Sequence, residues 1–267
     1  MTRKFLLPLA LCLLLSGCST VAEHTSSAPV SPTSSAEPTP PAATARTAPE
    51  WGEQVYMTAY VAEGREAPVF SPEYRLPEIK NAAGDPAYEA INTFYAGALS
   101  DLAASAAEVS GWAVDDYKTA QAAGYPFYEY VDTESYELTL ETAARVSFLR
   151  SHYSNSGGPS PLLYPIGDTF DLTTGARLSF ADLFSCPAEE ARSAVLERVL
   201  SLNELGAYAG TVLDADLLRN AYDPEHFYLT EDSLVCYFPE GDLPHAAGSP
   251  TFAIPYPELK EIMRPWE

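Results

Sequence analysis

Tyr136-Glu137-Leu138-Thr139-Leu140-Glu141, continued through Val146 and Phe148 to Tyr153, is the stretch that decides the fold. Apolar residues recur at every second position, with acidic or polar ones between them. That is the period of a strand with one buried and one solvated face. Ser156-Gly157-Gly158-Pro159 reads as a turn, and Phe170 and Leu172 begin a further strand that ends at Thr174-Gly175. Upstream the period is helical. Asp85 is a good N-cap with Pro86 at the first helical position, and Ile91, Tyr95, Ala98 and Leu102 share one face, which predicts a helix to about Val109. Gly111 then ends or bends it, and Trp112 to Ala123 reads as a second helical piece stopped by Gly124. Trp51 to Ile79, broken by Pro68, Pro72 and Pro77, suits short strands near an edge. Downstream, Ser179 and Asp182 have capping-box spacing. A helix follows Pro187 with Ala191, Val195, Val199 and Leu202 on one face. Phe227 to Phe238 forms a hairpin turning at Thr230 to Ser233, Thr251 to Tyr256 a last strand, and Pro257 opens a terminal helix. Consecutive strands joined by short turns predict an α+β fold, an antiparallel β-sheet with helices packed against it.

The N-terminus carries an export signal. Arg3 and Lys4 precede an apolar run of 11 residues, Phe5 to Leu15, shorter than the roughly 20 that a helix needs to cross about 30 Å of bilayer core. Leu15-Ser16-Gly17-Cys18 resembles the lipobox of bacterial lipoproteins, which implies cleavage before Cys18 and acylation of its thiol. Residues 1–17 are then a lipoprotein signal peptide, and Cys18 is the lipidation site that anchors the chain to a bacterial cell membrane, facing outside the cytoplasm. The alternative is an ordinary cleaved signal with an incidental cysteine. Ser19 to Glu50 has no Leu, Ile, Met, Phe, Tyr or Trp and contains six prolines. Residues 18–50 therefore read as a stiffened tether that buries nothing. Residues 51–267 hold every tryptophan and tyrosine, and so the fold.

Composition narrows the partners. Of the 267 residues, 46% are hydrophobic and 19% charged, which suits a packed core and excludes intrinsic disorder for most of the chain. There are 37 acidic and 15 basic residues, a formal net charge of -22, which opposes docking on phosphate backbones or anionic head groups. Nucleic acid is excluded as a partner; a basic protein, a cation or a plain soluble surface remains.

Signatures of catalysis are sparse. The sequence has no G-x-S-x-G elbow, HExxH, Walker loop, G-x-G-x-x-G or EF-hand loop. His24, His152, His226 and His245 never pair at helical spacing, and a zinc site from the last three would have to be assembled by the fold. Neither metal nor cofactor is expected. Asp115/Asp116, Glu189/Glu190 and Glu137/Glu141 have the residue type for glycoside hydrolysis, but so acidic a chain contains such pairs on solvated faces anyway. Cys186 and Cys236 are available for one disulfide, worth roughly 4 kcal/mol on the chain-entropy model; two unbonded thiols are the alternative. Trp51, Trp112, Trp266 and above all Tyr125, Phe127, Tyr128 and Tyr130 are candidates for a ligand surface, by stacking on sugars or anchoring a protein. Core packing is the competing role for each.

Phe170-Asp171-Leu172, Thr174-Gly175, Leu178 and Asp182-Leu183-Phe184 together resemble a segment of the RsiV-like extracytoplasmic domain family. Phe227-Tyr228-Leu229-Thr230 with Leu234-Val235, and Ala247-Gly248 with Phe252-Ala253-Ile254-Pro255-Tyr256, are similar to its later blocks, and Pro77-Glu78-Ile79 and Ile91-Asn92 to its companion N-terminal module. The resemblance spans about residues 55–263 and implies an N-terminal module over about 51–130 and a C-terminal module over about 131–267. Two departures stand out. The family's Gly-Gly-Ala-His-Pro turn is Gly157-Gly158-Pro159-Ser160-Pro161 here, without the histidine, and the loop Pro239 to His245 lacks the family's aromatic. The family occurs as the sensor part of the lysozyme-binding anti-sigma factor RsiV, ahead of PdaC-type peptidoglycan deacetylase domains, and in free-standing lipoproteins. The resemblance implies a lipid-anchored, non-catalytic binding or sensor module of the cell envelope that engages a wall glycan or a basic protein such as lysozyme. The alternative is a cell-wall hydrolase or deacetylase-accessory protein acting on peptidoglycan.

Overall fold

The computed structural model describes residues 46–243 and 249–265; Cys18, His24, His245, Trp266 and the tether to Ala45 lie outside them. The described chain is α+β, with a five-stranded sheet, a three-stranded sheet and helices packed on both. Strands β1 (Trp51–Met57), β2 (Phe70–Ile79), β3 (Tyr130–Glu141), β4 (Arg145–Asn155) and β5 (Leu162–Asp171) lie side by side in chain order. All neighbours are antiparallel except β2 and β3, which run parallel. The α+β fold with a largely antiparallel sheet is as expected, and the β2–β3 pair adds one parallel neighbour to it. The helix between β2 and β3 carries the chain back to the same end of the sheet, and parallel neighbours need such a crossover. Pro72 and Pro77 sit inside β2 without harm. Pro77 lies beyond the β3 register, and Pro72 lies beyond the β1 register, where its carbonyl still accepts from the Thr58 amide at 3.3 Å.

The crossover helix α1 (Pro86–Ala123) is one continuous helix of 38 residues, not two pieces meeting at Gly111. Asp85 caps it by accepting from the amides of Ala87 and Tyr88 at 3.0 and 3.3 Å, and Pro86 starts it. Gly124 ends it with a left-handed φ of 72°. Gly111 costs about 1 kcal/mol of helix propensity, but Ala106 and Ala113 on either side are fully buried against the sheet and hold the backbone there. At its start α1 covers a cluster of Tyr88, Ile91, Tyr95, Phe148 and Phe170; at its end it covers Phe70, Tyr74 and Tyr130. Arg46, where the described chain begins, pairs with Asp85 at 2.6 Å and donates to the Leu172 carbonyl.

The second sheet, β6 (Phe227–Leu229), β7 (Ser233–Tyr237) and β8 (Thr251–Pro255), is antiparallel and packs on the face of β4 and β5 opposite α1. The Leu229 amide donates to Ser147 at 3.0 Å and the Gly167 amide to the Tyr237 hydroxyl at 2.9 Å. A Cβ at Gly167 would stand 1.7 Å from the Phe227 carbonyl oxygen, so only glycine lets the sheets approach this closely. Helix α2 (Ala188–Glu204) buries Ala191, Val195 and Val199 as its stripe predicts. The short α3 (Ala215–Ala221), which no periodicity announced, adds Leu218 to the same core, and α4 (Tyr256–Leu259) closes it with Leu259.

Candidate functional site

Two segments far apart in sequence meet at one corner of the five-stranded sheet. The first leaves α1 at Gly124 and runs through Tyr125 to Glu129 into β3. Phe127 and Tyr130 turn inward. Phe127 stacks on Tyr130 at 6.2 Å and meets Tyr117 edge-on at 5.5 Å, while the Arg65 guanidinium lies 5.0 Å from the Tyr117 and Phe127 rings. The buried Tyr130 hydroxyl donates to Asp116 at 2.5 Å. Burial and the Asp116 carboxylate push that phenol up to about 12. Tyr125 and Tyr128 turn outward, 71% and 64% exposed. The four-residue aromatic set therefore divides by alternation into two anchors and two solvent-facing rings.

The second segment is the turn after β4. The Asn155 side chain accepts from the Gly157 amide at 2.8 Å, and Gly157 has a φ of 80°. A Cβ at Gly157 would lie 3.3 Å from the Tyr128 carbonyl oxygen, which fixes how closely the two segments fit. Two open grooves flank this contact. One, of about 570 Å³, is walled by Tyr128, Glu129, Val131, Asn155 and Gly157 to Pro159. The other, of about 260 Å³, lies among Asp116, Thr119, Tyr125, Tyr128 and Ser156. Both mix aromatic and carboxylate groups.

Beside the corner, on the α1 side of the sheet, the strands bury a layer of charge that sequence reading missed. Glu134 and Asp168 are nearly inaccessible, and Arg150 pairs with both, to Asp168 at 2.6 Å. Arg177 reaches the other Asp168 oxygen at 2.8 Å. His152 bridges Asp132 at 3.0 Å and Glu134 at 3.1 Å, and the Tyr74 hydroxyl donates to Asp132 at 2.8 Å. Hydrogen bonds that His152 donates to Asp132 and Glu134 raise its imidazole to about 9, against the opposing effect of burial. Burial pushes Glu134 up, but His152 and Arg150 outweigh it and leave its carboxyl below the usual range. With His152 protonated, three carboxylates face three cations. The available signal was parity: Asp132 and Glu134 precede apolar Tyr136 on one face of β3, as Arg150 and His152 follow Val146 and Phe148 on β4.

Other sequence candidates are dispersed. His226 stacks on Tyr237 at 5.2 Å, apart from the His152 pairing with Asp132 and Glu134, and no cluster of three or more metal-binding side chains occurs among the described residues. The acidic pairs Asp115/Asp116, Glu189/Glu190 and Glu137/Glu141 are all exposed. Cys186 and Cys236 are free thiols, so the disulfide reading gives way to its alternative. Cys236 is fully buried in β7, where burial pushes its thiol up to about 12, and Cys186 is half-buried ahead of α2. Trp51 packs edge-on to Phe148 at 5.0 Å, whereas Trp112 is 63% exposed on α1. No helix among the described residues is long and apolar enough to cross a membrane.

The C-terminal core from α2 to the start of α4 has a counterpart among known families. Residues 191–257 match the family described as protein of unknown function, DUF3298. Solved DUF3298 proteins share the fold. One from Bacteroides fragilis NCTC 9343 superposes with a TM-score of 0.64 at 16% identity, over 82% of this chain and 94% of that one. Another, from Pseudomonas aeruginosa PAO1, gives a TM-score of 0.57 at 15% identity, over 82% and 96%. At such identity the likeness concerns architecture alone. No curated protein matches the chain.

Proposed function

We propose that this chain is a non-catalytic binding or sensor module of the RsiV-like type, held outside a bacterial membrane by a lipid on Cys18, which engages a wall glycan or a basic protein such as lysozyme. The observation that carries the reading is the corner where exposed Tyr125 and Tyr128 meet the Gly157 to Pro159 turn. Flat rings beside carboxylates suit sugar stacking and cationic side chains alike. An enzyme is less well supported. The carboxyl shifts resolved among the described residues, at Glu134, Asp182 and Asp232, all run downward, whereas a general acid needs its carboxyl raised.

Calorimetric titration of the purified protein against lysozyme and soluble peptidoglycan fragments, at low and physiological salt, tests the reading. Micromolar or tighter binding with the ligand recovered unchanged is expected, weakened at least tenfold by Tyr128→Ala. Turnover of the ligand, or no binding to either, overturns it. For the anchor, Cys18→Ala should move the protein from the membrane fraction to the medium; retention in the membrane would overturn the lipid attachment.

A further inference from the structure

The face of the five-stranded sheet opposite α1 links the corner to a second groove. Residues facing each other across β3 and β4 point to the same side, so the register Val131/Asn155, Thr133/Tyr153, Ser135/Ser151 and Glu137/Leu149 is a single ladder on that side. Every residue in it is exposed or half-buried, while Asp132 and Glu134, which alternate with it, are buried under α1. Val131 and Asn155 at one end wall the larger corner groove. Glu137 and Leu149 at the other end wall a separate groove of about 390 Å³, shared with Tyr228, Glu231 and Asp232 of the β6–β7 hairpin. Residues 131 to 137 of an extended strand span ~20 Å, which matches about four rings of a linear sugar chain.

The chemistry along this track narrows the occupant. Between the grooves lie the small hydroxyl side chains of Thr133, Ser135 and Ser151 and the ring of Tyr153, with Tyr128 and Tyr228 at the ends. Carboxylates border it at Glu73, Glu129, Glu137 and Glu231. Arg75, the cation on β2 beside the ladder, is already paired with Glu73 at 2.8 Å and Glu53 at 3.0 Å. A polyanion would meet only repulsion there, whereas hydroxyl-rich rings bearing amines would find acceptors and stacking surfaces.

We propose that the two grooves are the ends of one continuous track that takes a linear amino-sugar glycan of about four units along β3 and β4. This rests on the binding-module reading and names the ligand class for it. The test titrates the purified protein with glucosamine oligomers of two, three, four and six units, and with the N-acetylated tetramer. Affinity should rise at least tenfold from the dimer to the tetramer and level off by the hexamer, with the free-amine tetramer the tighter and more salt-sensitive of the two. Ser135→Trp, which fills the middle of the track, should remove the length dependence, and Thr133→Lys should do the same by charge, each with an unchanged unfolding midpoint. Length-independent binding abolished by Tyr128→Ala would overturn the track and leave the corner as the site. Binding of lysozyme without binding of any oligomer would also overturn it. Binding of neither would overturn the parent reading as well.

Discussion

The two faces of β3 and β4 come from the same alternating sequence and treat charge in opposite ways. Toward α1 they bury Glu134 and Arg150, and every charge there meets an opposite one; on the other side the hydroxyls and carboxylates of Thr133, Ser135 and Glu137 are left to solvent. Removing a charge from water costs several kcal/mol unless a partner replaces the solvent, so the buried face can hold its groups only as closed pairs. A group already closed in a pair is poorly available to a ligand. The buried side therefore serves stability, and the open side is the one left for the recognition proposed above.

The most severe way to break this contrast is Arg150→Ala, which leaves Glu134 and Asp168 facing each other without their shared cation. A loss of about 3–5 kcal/mol is expected, read as a drop in the denaturant midpoint. A loss below about 1 kcal/mol would mean that water already reaches the layer. Next in size is the pH response of His152. Its folded value of about 9 exceeds the ordinary 6.5, so its contribution is fully present below about pH 6.5 and is lost as pH rises through about 9, by at most about 3 kcal/mol. Chemical unfolding at pH 6 and pH 9.5 measures it, and His152→Gln should flatten that difference. Smallest is Tyr128→Ala, on the open side. Its stability change should stay within about 0.5 kcal/mol while ligand affinity falls at least tenfold. A large stability change would show that the exposed ring is part of the core after all.

How much of this was legible follows from particular residues. Asp85-Pro86 and the stripe from Ile91 to Leu102 gave α1 its start, because cap and period are local signals. Gly124 likewise marked its end, but Gly111 obscured its continuity, because the deciding contacts there, Ala106 and Ala113 against the sheet, belong to tertiary packing. The Phe227–Leu229 and Ser233–Tyr237 hairpin was readable from its turn. The parallel pairing of β2 with β3 was not, since strand direction depends on where the crossover returns the chain. Charged residues at alternate strand positions ordinarily mark a solvated face. That rule hid the layer of Asp132, Glu134 and Arg150, whose partners lie on neighbouring strands. The aromatic set was half legible: composition singled out Tyr125 to Tyr130, but which rings faced outward awaited the direction of the chain leaving Gly124.

Helix α1 has a mechanical consequence. Thirty-eight residues at 1.5 Å each make a rod about 57 Å long. The chain joins the fold at Arg46, pinned beside the first turn through Asp85, whereas the aromatic corner lies past the last turn. A pull on Arg46 would load its pair with Asp85 and its bond to the Leu172 carbonyl first. The corner lies a full helix length from that point, at the other end of the rod.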